Sequence, residues 1–95
     1  MTVRVRVPAA LRELSGGEAT LALELGEGAT MADLLDAVAA LHPALERRVR
    51  NERGELRTHV NVFVGEDDVR SLGGVGTTLT PDAEVSILAA ISGGA

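Results

Sequence analysis

Cysteine is absent from the 95-residue sequence. Its absence excludes disulfides, thiolate nucleophiles and sulfur-ligated metal sites together. Lysine is absent as well, because all nine basic residues are arginines. The chain therefore offers no ε-amine for Schiff-base chemistry or isopeptide attachment. Tryptophan and tyrosine are missing, and Phe63 is the single aromatic residue, so the core must be built from Leu, Val, Ile and Ala. No apolar run approaches the ~20 residues of a membrane-spanning helix. The opening MTVRVRVPAALREL interleaves charge with valine and lacks the apolar stretch of a secretory signal. A cytoplasmic protein without a membrane partner is the expectation. Net charge is −5, with carboxylates dispersed along the chain. That balance argues against a nucleic-acid partner, whose phosphates select basic surfaces.

What is present is ordinary for one globular domain: 45% apolar residues and 24% charged. A chain of this size buries roughly 60–65% of its unfolded surface, enough for one modest core. TVRVRV (2–7) alternates strictly, with Val3, Val5 and Val7 on one face and Arg4 and Arg6 on the other, which predicts a half-buried strand closed by Pro8. AALREL (9–14) fits a helical turn or a loop, and Gly16-Gly17 marks a turn. ATLALEL (19–25) alternates again through Leu21, Leu23 and Leu25, giving a second strand paired antiparallel with the first.

The period then changes. TMADLLDAVAALHP (30–43) places Met31, Leu34, Leu35, Val38 and Leu41 on one helical face. Thr30 is a suitable N-cap with Asp33 at the capping-box position, and Asp33 and Asp36 suit the positive end of the helix dipole. Pro43 ends this helix and opens a second short one over PALERRVR (43–50). NERGELRT (51–58) is turn-rich. HVNVFV (59–64) predicts a strand with Val60, Val62 and Val64 inward and Asn61 and Phe63 outward. GEDDVR (65–70) reads as a turn into an edge strand, SLGGVG (71–76) as a loop, and TPDAE (80–84) as a turn with Pro81 at a compatible position. VSILAAI (85–91) is almost continuously apolar, which suits a central strand whose second face is either covered or used for docking. The first strand is its natural neighbour. A mixed four- to five-stranded sheet with one main helix across one face follows, a two-layer α+β domain over 1–91 with a tail at 92–95.

Side-chain chemistry is sparse. Glu66, Asp67 and Asp68 lack the alternation of a calcium loop and read as a solvated turn. His42 sits at a helix end, where its imidazole can meet the last carbonyls; His59 reads as a surface residue. No serine has a histidine nearby in sequence, so nucleophilic catalysis has no support. GGVG (73–76) lacks the lysine and the following helix of a phosphate loop. The tail SGGA holds no apolar anchor beyond Ile91. A Gly-Gly pair, slim and unrestricted in its backbone, fits a narrow channel, whereas a frayed terminus is the structural alternative.

The C-terminal third carries a resemblance. HVNVFVGEDDVR is similar to the Asn-containing strand and acidic turn, and GVGTTLTPDAEVSILAAISGG to the Thr-x-Leu, turn, apolar strand and terminal Gly-Gly, of the MoaD/ThiS sulfur carriers in the ubiquitin-like superfamily. Within that family the look is closest to carriers serving cysteine biosynthesis. The resemblance implies a ubiquitin-like β-grasp fold and a protein co-substrate in place of an enzyme. An E1-like enzyme using ATP and Mg would adenylate the terminal glycine, Gly94, after Gly93. Sulfur would then replace AMP, and the thiocarboxylate would serve a sulfur-accepting biosynthetic enzyme making cysteine, molybdopterin, thiamine or a thio-metabolite. Carriers of this kind normally end at the second glycine, so Ala95 is expected to be a cap removed by a JAMM-type metallopeptidase. The strand alternation puts Arg4, Arg6, Asn61, Phe63, Ser86, Leu88 and Ala90 together on the open sheet face. There Phe63 and Leu88, beside Arg4, Arg6 and Ala90, would form the partner-docking patch. Two other readings remain at this point: a ubiquitin-like protein modifier, and an interaction domain with an inert tail.

Overall fold

A computed structural model describes residues 1–89. Five strands form one sheet: β1 (Thr2–Arg6), β2 (Thr20–Glu24), β3 (Val60–Val64), β4 (Asp67–Asp68) and β5 (Glu84–Ala89). Their spatial order is β2-β1-β5-β3-β4. β1 and β5 run parallel, and every other neighbouring pair is antiparallel. The most apolar strand thus occupies the middle of the sheet with the first strand beside it, as its composition required. The expected β-grasp architecture is borne out. The end of the apolar run (Ala90 and Ile91), the tail residues Gly93, Gly94 and Ala95, and the boundary expected at 91/92 lie outside the described residues.

Helix α1 (Met31–Leu41) packs over one sheet face. Its start is set locally: Asp33 N–H donates to the Thr30 hydroxyl at 3.3 Å, and Thr30 N–H donates to Asp33 Oδ2 at 2.9 Å. This reciprocal pair satisfies two donors that the first helical turn leaves open. Met31, Leu34, Leu35 and Val38 are fully buried against Val3, Val5, Val60, Val62, Val85 and Ile87. Leu41 departs from the sequence expectation, being 60% exposed. Helical period sets direction about the axis, but the core ends one turn before position 41. Helix α2 (Pro43–Val49) adds Leu45 and Val49 to the core.

The segment left open between turn and loop is a 3₁₀ helix, Ala9–Ser15, terminated by Gly16 in the left-handed region at φ 67°. Ser15 is fully buried there, and its hydroxyl lies within hydrogen-bonding distance of two carbonyls, Glu18 O at 2.6 Å and Arg12 O at 3.1 Å. A hydroxyl held this way is a packing element with its polarity satisfied. Turns supply further core residues: Val69 and Leu79 are buried although no periodic pattern marks them. In the Thr80–Ala83 turn, Ala83 N–H donates to Thr80 O at 3.1 Å and Asp82 sits at φ 62°. Asp tolerates this conformation better than most residues, and Pro81 pre-sets the preceding angle.

Candidate functional site

The sheet face opposite α1 carries the side chains that alternation assigned to it. Cross-strand register fixes how they meet. Arg6 is level with Ser86, and Ser86 with Phe63, so one row crosses β1, β5 and β3; Thr20 and Asp68 extend it to both edges. Leu88 faces Asn61, and Arg4 is level with Glu84. Arg4 and Arg6 are exposed, Asn61, Phe63 and Ser86 are half-buried, and Leu88 is 49% exposed. Phe63 is therefore neither a core residue nor a freely projecting ring. Its half-buried position anchors it to the sheet and leaves part of the ring exposed.

Charge frames this patch. Arg6 Nη1 pairs with Glu84 Oε1 at 3.3 Å, with both side chains more than half exposed. Solvent weakens such a pair to well under ~1 kcal/mol, so Arg6 is available to exchange partners. Sequence reasoning missed Arg70. Its guanidinium donates to Asn61 Oδ1 at 3.1 Å and to Arg57 O at 2.8 Å, which brings a third arginine to the Leu88 end of the face. Locally, its backbone N–H is held by the Asp68 carboxylate at 2.8 Å. The D-x-R spacing signals that local turn, but the reach to Asn61 depends on β3 lying alongside.

Ala89 is paired with Val60 at the start of β3. The chain therefore leaves the described fold at the sheet end that carries the Leu88, Asn61 and Arg70 side chains. Ala90, expected on the docking patch from alternation, and Gly93 and Gly94, expected to react, with Ala95, lie beyond this point, outside the described residues.

The remaining motifs lie in turns and at the surface. Asp68 caps a 3₁₀ turn, Val69–Ser71, and Glu66 and Asp67 are exposed. Among the described residues no group of three or more His, Asp or Glu side chains is placed to hold a metal ion. GGVG forms a 3₁₀ turn, Gly74–Gly76, with Thr77 in extended conformation after it. His59 is exposed. For His42 the expected role is corrected. The residue ends α1 through its backbone N–H, which donates to Val38 O at 2.7 Å, and its imidazole makes no hydrogen bond among the described residues. The ring lies instead beside Gly16, where an added Cβ would stand 3.7 Å from its Cε1.

Away from the sheet face, Asp36, Glu46, Arg50, Asn51 and Arg57 line an open cleft of about 580 Å³. Arg50 binds Asp36 Oδ1 at 2.8 Å and also Glu46, and its side chain is only 11% exposed. Burial disfavours its charge, but the hydrogen bonds and attraction of the two carboxylates outweigh that and raise its already high pKa. The cleft's most buried cation is thus already neutralised. Asp36, expected to serve the helix dipole, spends its carboxylate on this clasp.

The described residues thus supply a β-grasp sheet with an apolar, arginine-rimmed open face, and no assembled catalytic group. Comparison with known proteins agrees with that arrangement. The chain belongs to the ThiS family, whose model matches residues 5–94. It is 30% identical to the sulfur carrier protein CysO of Mycobacterium tuberculosis over 96 residues, spanning 99% of this chain and 100% of that one. Over 84 residues it is 34% identical to small archaeal modifier protein 1 of Haloferax volcanii, spanning 88% and 91% of the two chains. The solved BexX/CysO complex of Amycolatopsis orientalis contains a chain that superposes with a TM-score of 0.83 at 32% identity, covering 96% of this chain and 98% of that one.

Proposed function

We propose that this protein is a sulfur carrier: a co-substrate whose Gly94 carboxylate is adenylated by an E1-like enzyme with ATP and Mg and converted to a thiocarboxylate. The observation that carries this reading is the family match, which runs through the fold and stops at Gly94. The absence of any serine–histidine pair or metal cluster among the described residues fits a chain that brings a reacting group to someone else's active site. Acyl-phosphate chemistry there needs an accessible carboxylate, and glycine supplies it without a side chain to exclude it from a narrow channel. The open sheet face supplies docking: Phe63 and Leu88 give the apolar centre, with Arg4 and Arg6 at its rim. The A. orientalis CysO relative, solved in complex with BexX, supports a carrier that works while held by another protein. The sulfur then passes to a biosynthetic enzyme, with cysteine formation favoured by the CysO likeness.

Ala95 lies past the matched residues. Its methyl group would stand where the adenylating site receives glycine, so a JAMM-type metallopeptidase removes it before activation. Intact mass spectrometry tests both statements. The Gly94-ended and Ala95-containing forms are incubated with the cognate E1-like enzyme, ATP, Mg and a sulfide source. The expected result is exchange of one oxygen for sulfur in the Gly94-ended form alone. Equal conversion of both forms overturns the cap, and conversion of neither overturns the carrier reading.

A second reading, attachment of Gly94 to lysines of other proteins, is favoured by the 34% identity to an archaeal modifier protein. Covalent adducts on other proteins in a lysate supplied with the activated form would mark it.

A further inference from the structure

Arg70 reaches the open sheet face from the Val69–Ser71 turn, outside the strands that build that face. The residue is exposed, yet its guanidinium is held in place by two anchors. Nη1 donates to Asn61 Oδ1 at 3.1 Å, and Nη2 donates to Arg57 O at 2.8 Å. Both acceptors are neutral. Arg6, by contrast, meets Glu84, and Arg50 meets Asp36 and Glu46. Asp68, the nearest acid in sequence, accepts from the backbone N–H of Arg70, and no carboxylate of the described residues forms an ion pair with its guanidinium. Arg70 thus carries an unmatched positive charge at a fixed position.

The anchors occupy two of the five N–H groups of a guanidinium, which leaves three without an acceptor among the described residues. The same contact orients Asn61. A guanidinium has no acceptor, so the amide oxygen must be the atom that faces it. The two N–H groups on Asn61 Nδ2 then lie on the other side of the amide, and neither has a partner among the described residues. Leu88, 49% exposed, is level with Asn61 on the neighbouring strand. An apolar contact point therefore stands beside unmatched donors on two side chains. Their complement is a charged oxygen acceptor, and a planar carboxylate fits the guanidinium fork. A free anion would leave Leu88 in water. An aspartate or glutamate on an apolar protein surface satisfies both halves.

We infer that Arg70 is the specificity-determining cation of the docking face, receiving an Asp or Glu of the partner enzyme beside the apolar surface that covers Leu88, with Asn61 as its positioning residue. This rests on the reading of the open sheet face as the surface that docks the activating enzyme. The physical reason is preorganisation. A free surface arginine loses side-chain freedom when a partner fixes it, whereas two hydrogen bonds hold Arg70 before the partner arrives. Arg4, exposed on the same face, has no side-chain hydrogen bond among the described residues, and Arg6 must first leave Glu84.

The test titrates the full chain against its E1-like enzyme at low and high salt, with urea unfolding of each variant alongside. R70Q is expected to weaken binding about tenfold or more and to flatten the salt dependence. R70K should lose most of the same affinity, because an ammonium keeps the charge but cannot hold both anchors and still present a planar fork. R4Q should lose less than about threefold, as exposed, unanchored charges do. N61L should weaken binding in the native background and add little once Arg70 is replaced, a non-additivity expected of two groups acting as one unit. Native-like binding by R70Q or R70K overturns the inference, and so does an N61L loss that adds in full to that of R70Q. Unfolding of R70K that accounts for its binding loss would make Arg70 a structural residue, also against the inference. Inorganic phosphate that displaces the enzyme from the native chain but not from R70Q would make this a small-anion site and overturn the protein-carboxylate assignment. A native chain that does not bind the enzyme at all overturns the docking reading itself, which keeps the two failures distinct.

Discussion

Leu88 and Ile87 are sequence neighbours with opposite duties. Ile87 is 1% exposed and packs under α1, whereas Leu88 is half-exposed on the other face. Truncating Ile87 to Ala removes buried volume that the sheet and helix cannot refill, at a cost of about 2–5 kcal/mol. Truncating Leu88 to Ala should change stability by less than about 1 kcal/mol but weaken binding to the proposed activating enzyme roughly tenfold or more, if Leu88 lies at the centre of the proposed docking patch. Urea unfolding and a binding titration separate the two effects. Phe63→Ala should likewise weaken binding more than stability; the reverse would make Phe63 a core residue. Alternation alone placed these side chains on their faces, because successive strand residues must point opposite ways. Their degree of exposure was not legible, since it depends on neighbouring strands. Arg70 joined the face for the same reason.

At the scale of elements, α1 is specified almost entirely by its own residues: Thr30 and Asp33 cap it, the apolar period aims it, and Pro43 follows its end. The connection between α1, α2 and the 51–58 turn is different. Arg50 holds Asp36 of α1 and Glu46 of α2, while Asn51 Oδ1 accepts from the backbone N–H of Arg53 and of Glu55. Arg50→Met should cost about 1–3 kcal/mol, less than for a fully buried pair, because Asp36 is largely exposed while Glu46 is left desolvated without its partner. Replacing both partners, E46L with R50M, should recover most of that loss; chemical denaturation of the two variants decides it. The pH sign is plain. A raised arginine pKa contributes stability at every pH below its unfolded value and loses it only in strongly alkaline solution, so Arg50 does not act as a switch near neutrality. Sequence spacing announces the Glu46–Arg50 i,i+4 pair. It does not announce Asp36, which arrives only when the two helices pack.

For the whole molecule, stability should be graded outward from the sheet centre. Hydrogen exchange by mass spectrometry or NMR is expected to be slowest in β1, β5 and β3, which have neighbours on both sides, and fastest at the two-residue β4 and the 51–58 turn. Exchange of β5 as fast as β4 would contradict the sheet order. The sequence by itself determined the four longer strands, the two α-helices, the two-layer class and the faces of the strands, because periodicity and capping act over a few residues; the three 3₁₀ turns carry no such period. Tertiary structure decided the rest. The parallel pairing of β1 with β5 puts the first strand in the middle of the sheet beside the last, Arg70 and Asn61 meet across separate segments, and Leu41 overhangs the core that its period points toward. These depend on long-range pairing and on where the core ends, quantities that no local pattern encodes.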